Sequence, residues 1–334
     1  MDPHQLLKSF KTAKILVIGD LMLDEYVRGD ILRISPEAPV PVILEKSHEC
    51  TLGGAANVAA NIHSLGGSVH MIGVIGDDEA GRIFLGIAKI RGLIVNNSNQ
   101  SIFVDKIRPT TRKLRIYAGG VQIVRVDFES SIPIPAELEG KILASFEAGI
   151  SNVDCVIISD YNKGVVTKSL AKKCIDIASN AKVPILIDSK NYVTYAMKGA
   201  TVLKPNLKEL SKETGLPCGS DAQIEKAGFA LFAKLSPKAL LVTAGEKGMF
   251  LFVGKKITRI PGIKTKVADV SGAGDSVISA MALAIACNAS FHEAAIIANY
   301  AAAAAVAKEG TVAPTIAEIE SLISAKARPK LVRG

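Results

Sequence analysis

A glycine-rich segment with an acidic residue at each end, Asp269-Val-Ser-Gly-Ala-Gly-Asp275, lies directly before a long apolar stretch. Gly272 and Gly274 have no side chains, so the backbone can approach a ligand closely there. The free N–H groups and the positive dipole end of a following helix bind phosphate oxygens. Asp275 would lie beside those phosphates, where a carboxylate can accept a proton from an attacking hydroxyl. The segment indicates phosphoryl transfer, and the alternative is an ordinary helix N-cap.

A second glycine pair precedes another predicted helix, in the segment Gly53-Gly54-Ala-Ala-Asn57. The first turn of this helix consists of small residues. Asn57 has an amide that both donates and accepts hydrogen bonds, which suits sugar hydroxyls. Close packing of the helix on a sheet is the alternative explanation for the glycines.

Two further polar segments follow apolar runs. Asn206 and Glu209 have the spacing of a helix capping box, and the same groups could instead hold a hydrated Mg²⁺. The segment Thr243-Ala-Gly-Glu-Lys-Gly248 is a glycine-rich turn after a strand, and the carboxyl edge of a parallel sheet is where ligands bind. A plain hairpin turn between Val242 and Met249 is the alternative.

The elements that must position these segments alternate between two patterns. Short apolar runs predict buried parallel strands, and amphipathic stretches between them predict helices. This alternation predicts an α/β fold with a mainly parallel central sheet and helices on both faces. The predicted strands are Lys14–Gly19, His70–Val74, Asp154–Ser159, Pro184–Asp188 and Ala239–Thr243. The predicted helices are Ala55–Leu65, Asp78–Arg91, Thr167–Asn180, Asp221–Leu235, Ala273–Ala286 and Phe291–Lys308.

Two regions break this alternation, Tyr26–Glu49 and Ser101–Phe128. Apolar and charged residues alternate in both, as they do in half-exposed antiparallel strands. We expect a small β-layer, formed by about 24–50 and 101–128, that projects from the main sheet and acts as a lid. An ordinary edge hairpin is the alternative. No low-complexity linker divides the chain, so residues 1–334 are expected to form a single domain.

The overall charge favours an anionic small molecule over nucleic acid. The formal net charge is +8 and the sequence pI is about 9.1. The Lys and Arg residues are scattered and do not alternate with aromatic residues, so a nucleic-acid partner is not expected. A phosphorylated substrate suits the sign of the charge.

Several common sites and locations are excluded by pattern. The five cysteines are far apart and form no CxxC pair, which fits a reducing cytoplasm and argues against a zinc or disulfide framework. The first 14 residues are polar, and apolar stretches are too short for a membrane span, so no membrane partner is expected. The GxGxxG dinucleotide fingerprint, the Walker A motif and the protein-kinase signatures are all absent.

In their order along the chain, these segments resemble the ribokinase-like (phosphofructokinase B) family of sugar kinases, over about residues 12–325. The resemblance implies that the cofactors are ATP and Mg²⁺. It implies that Asp275 is the catalytic base and that Gly272, Ala273 and Gly274 form an anion hole. It further implies that Asn206 and Glu209 position the metal, through water, and that the nucleotide binds at Thr243, Gly245, Glu246, Gly248 and Asn299.

The same resemblance places the sugar at Asp24, Gly53, Gly54 and Asn57. Three strings are similar to a narrower group, the heptose kinases: Gly19–Tyr26, Arg33–Val42 and Ser159–Gly164. They imply transfer of the ATP γ-phosphoryl group to the anomeric hydroxyl of D-glycero-β-D-manno-heptose 7-phosphate, which yields the 1,7-bisphosphate for ADP-heptose and lipopolysaccharide biosynthesis. Many heptose kinases also have a C-terminal nucleotidylyltransferase. Its His-x-Gly-His motif does not occur here, so we expect adenylyl transfer to lie outside this sequence.

A heptose 7-phosphate needs cations for its own phosphate. Strand alternation puts Lys113 and Arg115 on one face and Arg112 on the other. We assign Arg115 and Lys163 to the phosphate and Asp160 to the substrate, with solvent-facing charge as the alternative for each cation. Apolar Val40, Val42 and Leu44 on the lid suit a homodimer.

Two other functions remain open from the sequence. The first is a kinase of the same family for a different sugar or a nucleoside. The second is a non-catalytic protein that senses a sugar or nucleotide on the same fold.

Overall fold

The computed structural model describes residues 2–94 and 101–327. In chain order the strands are β1 (Lys14–Gly19), β2 (Leu21–Ile34), β3 (Pro41–Gly54), β4 (Ser68–Gly76), β5 (Ile102–Asp105), β6 (Thr111–Ala118), β7 (Val121–Phe128), β8 (Cys155–Asp160), β9 (Ile185–Ser189), β10 (Val202–Leu203), β11 (Ala239–Thr243), β12 (Met249–Val253) and β13 (Lys256–Ile260).

The helices alternate with these strands along most of the chain. They are α1 (Pro3–Ser9), α2 (Ala55–Ser64), α3 (Glu79–Ile90), α4 (Ala136–Ile150), α5 (Lys168–Asn180), α6 (Leu207–Thr214), α7 (Asp221–Leu235), α8 (Ala273–Ala286), α9 (Phe291–Val306) and α10 (Ile316–Ala327). No helix within the described residues is long and apolar enough to cross a membrane.

Within the described residues, nine strands form a large sheet in the order β13-β12-β11-β10-β9-β8-β1-β4-β5. Neighbours are parallel from β11 to β5, and β12 and β13 are antiparallel. The central strands β1 and β8 are apolar runs that are buried almost throughout, as a sheet covered on both faces requires. The mainly parallel sheet expected from the sequence is confirmed.

The two faces of this sheet pack into separate apolar cores. On β1, Ile15 and Val17 join the core beneath α2, α8 and α9, whereas Leu16 and Ile18 join the core beneath α4, α5 and α7. This division follows from the two-residue period of a strand. Helices therefore cover both faces, as predicted.

A separate small sheet has the order β3-β2-β6-β7, and we refer to it as the lid sheet. β2 pairs with β3 in antiparallel and with β6 in parallel register. We define its inner face as the one that contains Asp24 and Tyr26, and its outer face as the one that contains Glu25 and Arg112. The Tyr26 hydroxyl is 2.9 Å from the Thr311 hydroxyl, which brings the inner face against the start of α8.

The lid sheet is smaller than the expected range 101–128. Residues Ile102–Asp105 pair in parallel with β4 at the edge of the large sheet, and the lid strands begin at Thr111. The reason is connectivity, since the crossover through α3 returns the chain parallel to β4 before it enters the lid. Lys113 and Arg115 lie on one face of β6 and Arg112 lies on the other, as predicted.

Candidate active site

Helix α8 begins in an unusual way that requires glycine. Gly272 is the N-cap and has a left-handed backbone with φ of 75°, and it makes no side-chain cap. A Cβ at Gly272 would be 3.0 Å from both the Asn57 Nδ2 and the Thr311 Cγ2. Asp275 does not cap the helix, and Asp269 instead accepts hydrogen bonds from the Ser271 and Gly310 amides. The ordinary N-cap explanation for this segment is therefore not what the structure contains.

Asp275 is buried and has two hydrogen-bond donors. The Asn57 Nδ2 donates to its Oδ2 at 2.6 Å, and the Tyr161 hydroxyl donates to its Oδ1 at 2.6 Å. Burial raises the pKa of Asp275 from 3.8 to about 6, and the nearby Asp188 adds to the rise. The hydrogen bonds and the Lys204 ammonium act in the opposite direction. The carboxylate is thus held in place and tuned to a basicity that suits a general base near neutral pH.

A buried ion pair that the sequence reasoning did not identify lies beside Asp275. The Lys204 Nζ is 2.9 Å from the Asp188 Oδ2, and a Cβ at Gly274 would be 3.3 Å from the same ammonium. Burial raises the pKa of Asp188. The carboxylates of Asp188 and Glu209 outweigh burial and raise the pKa of Lys204, so its side chain stays charged. Both residues lie at the carboxyl ends of strands, which is the signal that could have identified them.

Asn57 is held by a hydrogen-bonded network between α2 and α8. The Asn61 Nδ2 donates to the backbone and side-chain oxygens of Asn57, and the Ser276 hydroxyl donates to the Asn61 Oδ1. The small residues at the start of α2 permit this close approach. The helix therefore packs closely, as the alternative explanation for the glycines predicted. The Asn57 side chain is also held in a defined position.

Asn206 and Glu209 form a complete capping box at the start of α6. The Asn206 Oδ1 accepts from the Glu209 amide at 2.9 Å, and the Glu209 Oε2 accepts from the Asn206 amide at 2.8 Å. The other oxygen of Glu209 contacts the Lys190 ammonium. The capping alternative is thus correct, and the metal role of the two residues stays a prediction.

The residues predicted to bind nucleotide lie near one another. Thr243 pairs with Asn206 across an isolated parallel bridge, and Gly245, Glu246 and Lys247 form a short 3₁₀ turn between β11 and β12. This turn is a hairpin, as the alternative predicted. A Cβ at Gly248 would meet the Ile260 carbonyl at 2.1 Å, so the turn packs on the end of β13. The Asn299 Nδ2 donates to the Pro261 carbonyl at 2.9 Å, which brings α9 to the same place.

The residues predicted to bind sugar form a second group, which reaches Asp275 through Asn57. The Arg115 Nη1 is 2.7 Å from the Asp24 Oδ1 on the inner lid face. A Cβ at Gly53 would be 2.4 Å from the Asp24 Oδ2, and one at Gly54 would be 2.4 Å from the Asp20 carbonyl. The glycine pair therefore lets β3 approach β2 closely enough to place Asp24.

The loop after β8 is fixed by two buried carboxylates. Asp20, which the sequence reasoning did not select, accepts hydrogen bonds from the amides of Tyr161, Lys163 and Val165. The oxygens of Asp160 accept from the Ser189 hydroxyl and the Asn162 amide, so its carboxylate is engaged within the protein. Its assignment to substrate stays a prediction.

Lys163 belongs to a cluster of charges at the lid. Its ammonium is 2.6 Å from the Glu129 Oε1, and the Lys113 ammonium is 3.0 Å from the Glu129 Oε2. Lys113 shares the inner face with Arg115. Lys113 and Lys163 therefore share one carboxylate, and Arg115 lies two residues from Lys113 on the same strand face.

Comparison with known proteins adds to this geometry. The model of the pfkB family of carbohydrate kinases matches residues 12–318. Among curated proteins, the chain is 41% identical over 324 residues to the bifunctional protein HldE of Caulobacter vibrioides, covering 96% of this chain and 65% of that protein. It is 42% identical over 305 residues to the bifunctional protein HldE of Geobacter metallireducens, covering 91% and 61%. The chain thus spans less than two thirds of the length of these relatives.

Solved structures share the fold at lower identity. A ribokinase of Arabidopsis thaliana complexed with ribose and ATP has a TM-score of 0.72 and 22% identity, over 93% of this chain and 98% of that one. A putative ribokinase of Agrobacterium tumefaciens has a TM-score of 0.76 and 22% identity, over 95% and 99%. The ribokinase-like fold expected from the sequence is confirmed.

Proposed function

The chain belongs to the pfkB family of carbohydrate kinases, and we propose that it transfers the γ-phosphoryl group of ATP to the anomeric hydroxyl of D-glycero-β-D-manno-heptose 7-phosphate. The product is the 1,7-bisphosphate, an intermediate for ADP-heptose and lipopolysaccharide biosynthesis. A cytoplasmic location is part of this proposal. The heptose is proposed because the Gly19–Tyr26, Arg33–Val42 and Ser159–Gly164 strings resemble heptose kinases.

The observation that supports this proposal most strongly is that Asp275 is linked to both groups of predicted residues. Asn57 donates a hydrogen bond to Asp275, and the adjoining Gly53-Gly54 pair packs on Asp24 of the lid sheet. Lys204 acts electrostatically on Asp275, and Asn206, two residues along the chain, pairs with Thr243 at the start of the glycine-rich turn. A phosphoryl group that passes from a nucleotide to a sugar needs a base beside the acceptor hydroxyl.

In the proposed reaction, Asp275 orients the acceptor hydroxyl and accepts its proton. The two hydrogen bonds from Asn57 and Tyr161 hold the carboxylate in one orientation. We propose that the Gly272-Ala273-Gly274 amides at the start of α8 bind the transferring phosphoryl group. The Lys204 ammonium, which would be 3.3 Å from a Cβ at Gly274, adds a positive charge there. Charge stabilisation of this kind supplies most of the catalysis in phosphoryl transfer.

The donor set near Lys204 fits Mg²⁺. Mg²⁺ prefers oxygen ligands and keeps several waters, and the carboxylates of Asp188 and Glu209 lie close enough for each to affect the same ammonium. We propose that Asn206 and Glu209 hold the hydrated ion through water, with Asp188 beside them. The ion would neutralise charge on the nucleotide phosphates.

The substrate phosphate is proposed to bind the cations at the lid. Arg115 and Lys163 both form ion pairs, with Asp24 and Glu129 respectively. Lys113 shares Glu129 with Lys163. A dianionic phosphate can replace these carboxylates as the partner of the cations, because phosphate and carboxylate accept charge-assisted hydrogen bonds from the same donors.

A homodimer through the outer face of the lid sheet is also proposed. Apolar side chains line the part of this face formed by β7, where Val124, Val126 and Phe128 are 44%, 38% and 41% exposed. Val40 and Leu44 are exposed near the far end of the lid. A contiguous apolar surface of this kind is characteristic of a protein–protein interface, and a second copy supplies an identical surface.

Product analysis tests the proposed function. The purified chain is incubated with ATP, Mg²⁺ and one acceptor at a time: the α- and β-anomers of heptose 7-phosphate, the unphosphorylated heptose, ribose, fructose 6-phosphate and adenosine. The expected result is a heptose bisphosphate in the mass spectrum, with the β-anomer preferred. Phosphorylation of ribose or adenosine instead of the heptose would support the kinase reaction and contradict the proposed acceptor. No product from any acceptor would favour a sensing protein.

A further inference from the structure

Three side chains of different chemistry converge on the outer face of the lid sheet. One carboxylate oxygen of Glu25, one imidazole nitrogen of His48 and the Cys50 sulfur all lie within 4.8 Å of one another. We propose that these residues bind a divalent transition metal ion, with Zn²⁺ as the best match, at a site separate from the one at Asp275. Neither the proposed kinase reaction nor its Mg²⁺ requires this site.

Strand register produces the cluster. Glu25 on β2 is directly opposite Cys50 on β3, and His48 is opposite Val27. His48 and Cys50 are two residues apart on one strand, so their side chains lie on the same face, and directly opposed Cβ atoms are about 4.5–5.5 Å apart. Since the pairing is part of a long antiparallel ladder, the backbone fixes the Cβ positions of the three residues.

The ligand types select the metal. Imidazole nitrogen, thiolate sulfur and carboxylate oxygen are the three protein ligands of Zn²⁺, with bonds of about 2.0–2.3 Å. A thiolate disfavours Mg²⁺ and Ca²⁺, which prefer oxygen. Three protein ligands leave a fourth position of the tetrahedron for water. The ligand atoms need to move together by roughly 1 Å for such bonds, and the exposed side of His48 leaves its ring free to turn.

Arg112 orients the carboxylate of this cluster. Its Nη1 is 3.1 Å from the Glu25 Oε2, and its guanidinium lies 4.0 Å from the centre of the Phe128 ring. The other oxygen, Oε1, is the one that faces the His48 Nε2, at 2.5 Å. A metal ion would replace this His–Glu hydrogen bond and take the Cys50 proton's place. Arg112 would keep its hydrogen bond to the distal oxygen, as outer partners of metal ligands commonly do.

Metal binding at this site would connect β2 and β3 close to the residues proposed to bind sugar. Glu25 is adjacent in sequence to Asp24, whose carboxylate is on the inner face and pairs with Arg115. An ion held by β2 and β3 would add a crosslink between the strands at this level. Because the ion binds the folded state only, it should raise the thermal midpoint in proportion to the logarithm of its concentration.

Cobalt absorption tests the proposal directly. The chelator-treated full chain is titrated with Co²⁺, and the expected signal is a sulfur-to-cobalt charge-transfer band in the near ultraviolet that saturates at one ion per chain. Zn²⁺ should abolish the band and Mg²⁺ should leave it unchanged. Cys50→Ser should remove the band, and His48→Ala should weaken Co²⁺ binding by at least about tenfold.

Matched controls separate this site from other ligands. Cys218→Ser removes another partly exposed thiol, and His292→Ala removes an exposed imidazole on α9. Both variants should retain the full band and the Zn²⁺-dependent rise in thermal midpoint. His48 is exposed, so His48→Ala also serves if replacement of Cys50 disturbs folding. A band that persists in Cys50→Ser overturns the proposal. So does the absence of a band in the wild-type protein at about 100 micromolar Co²⁺, a concentration on the order of the dissociation constant of a weak protein site.

Discussion

Asp275 shows how one side chain receives its properties from its surroundings. Its carboxylate is held by two neutral donors, Asn57 and Tyr161, and it forms no ion pair within the part of the chain that the structure describes. Burial makes the ionised form less favourable, and Asp188 adds to this effect. A buried carboxylate with raised pKa and fixed orientation is a base that retains its proton affinity near neutral pH.

Removal of this base should separate activity from stability. Asp275→Asn should lower turnover by about 10²–10⁴-fold, measured as ADP release dependent on sugar. The folded state raises the pKa of Asp275, so the stability that this group contributes below pH 3.8 is lost as pH rises through about 6. At pH 7.5 the neutral variant should therefore keep or raise the thermal midpoint.

Asp176→Asn is the matched control, because Asp176 is exposed on α5. It should leave both the turnover and the thermal midpoint unchanged. Wild-type turnover in Asp275→Asn would exclude Asp275 as the base. A large fall in the thermal midpoint would instead assign the residue a structural role.

The pH profile should report the same group. Because the ionised carboxylate is required, kcat/KM should fall as pH decreases through about 6. The Tyr161 hydroxyl lowers the pKa of Asp275 by hydrogen bonding, so Tyr161→Phe should move this limb to higher pH. Tyr195→Phe, which removes a hydroxyl that interacts with Asn191, should leave the limb in place. A limb unchanged in Tyr161→Phe would contradict the assignment.

Substrate phosphate binding is tested at Arg115. Arg115→Ala should raise the KM for heptose 7-phosphate by roughly tenfold or more, because a charge-assisted hydrogen bond is lost, and it should change the KM for ATP much less. The control is Arg259→Ala on β13, which breaks an exposed ion pair with Asp221. An unchanged KM for the phosphorylated sugar in Arg115→Ala would remove Arg115 from the proposal.

At the scale of elements, close approach of backbone segments is what assembles the site. β3 enters α2 through Gly53 and Gly54. The N-cap of α8 is Gly272, which has a left-handed backbone and where a Cβ would be 3.0 Å from the side chains of Asn57 and Thr311. The packing of α2 against α8 through Asn61 and Ser276 then brings Asn57 to Asp275. Small residues at these positions are therefore favoured by the packing geometry alone.

Gly54→Ala should reveal this requirement. Gly54 has φ of 56° and a Cβ there would meet the Asp20 carbonyl at 2.4 Å, so the free energy of unfolding should fall by about 1–3 kcal/mol. Gly86→Ala is the matched control, since Gly86 is exposed in α3 and has open space around its Cβ position. That change should increase stability by up to about 1 kcal/mol. Equal effects of the two substitutions in urea unfolding would contradict the steric argument.

At the scale of the whole molecule, the lid sheet has two faces of different composition, and we propose a different role for each. The inner face carries Asp24, Lys113 and Arg115 beside the proposed substrate. The outer face carries apolar Val124, Val126 and Phe128 on β7. The proposed metal ligands lie on the same face, on β2 and β3. The two-residue period of the strands allows one layer to serve a ligand and a protein partner at once.

The dimer proposal predicts a mass by light scattering of twice the chain mass of 35.1 kDa. Val126→Glu should yield the monomeric mass, because a buried unpaired charge at the interface is unfavourable. Ile90→Glu is the control, since Ile90 is 88% exposed on α3 and is not part of the lid sheet. A monomeric wild-type protein, or a dimer that survives Val126→Glu, would exclude this interface.

The sequence alone determined the alternation of strands and helices, the main glycine segments and Asp275 as the candidate base. These features are local, since they depend on the periodicity of apolar residues and on turn residues within a short stretch. It did not indicate Asp188, Lys204, Tyr161 or Asp20, because the roles of these residues depend on neighbours far away along the chain.

The tertiary structure also defined local features that the sequence left open. Asn206 and Glu209 form a capping box, Thr243–Gly248 is a hairpin, and Ile102–Asp105 belongs to the large sheet. The convergence of Glu25, His48 and Cys50 likewise depends on strand register, which pairs residues 23 and 25 positions apart. Burial, pairing and pKa arise from packing, so they become defined only when the elements are assembled.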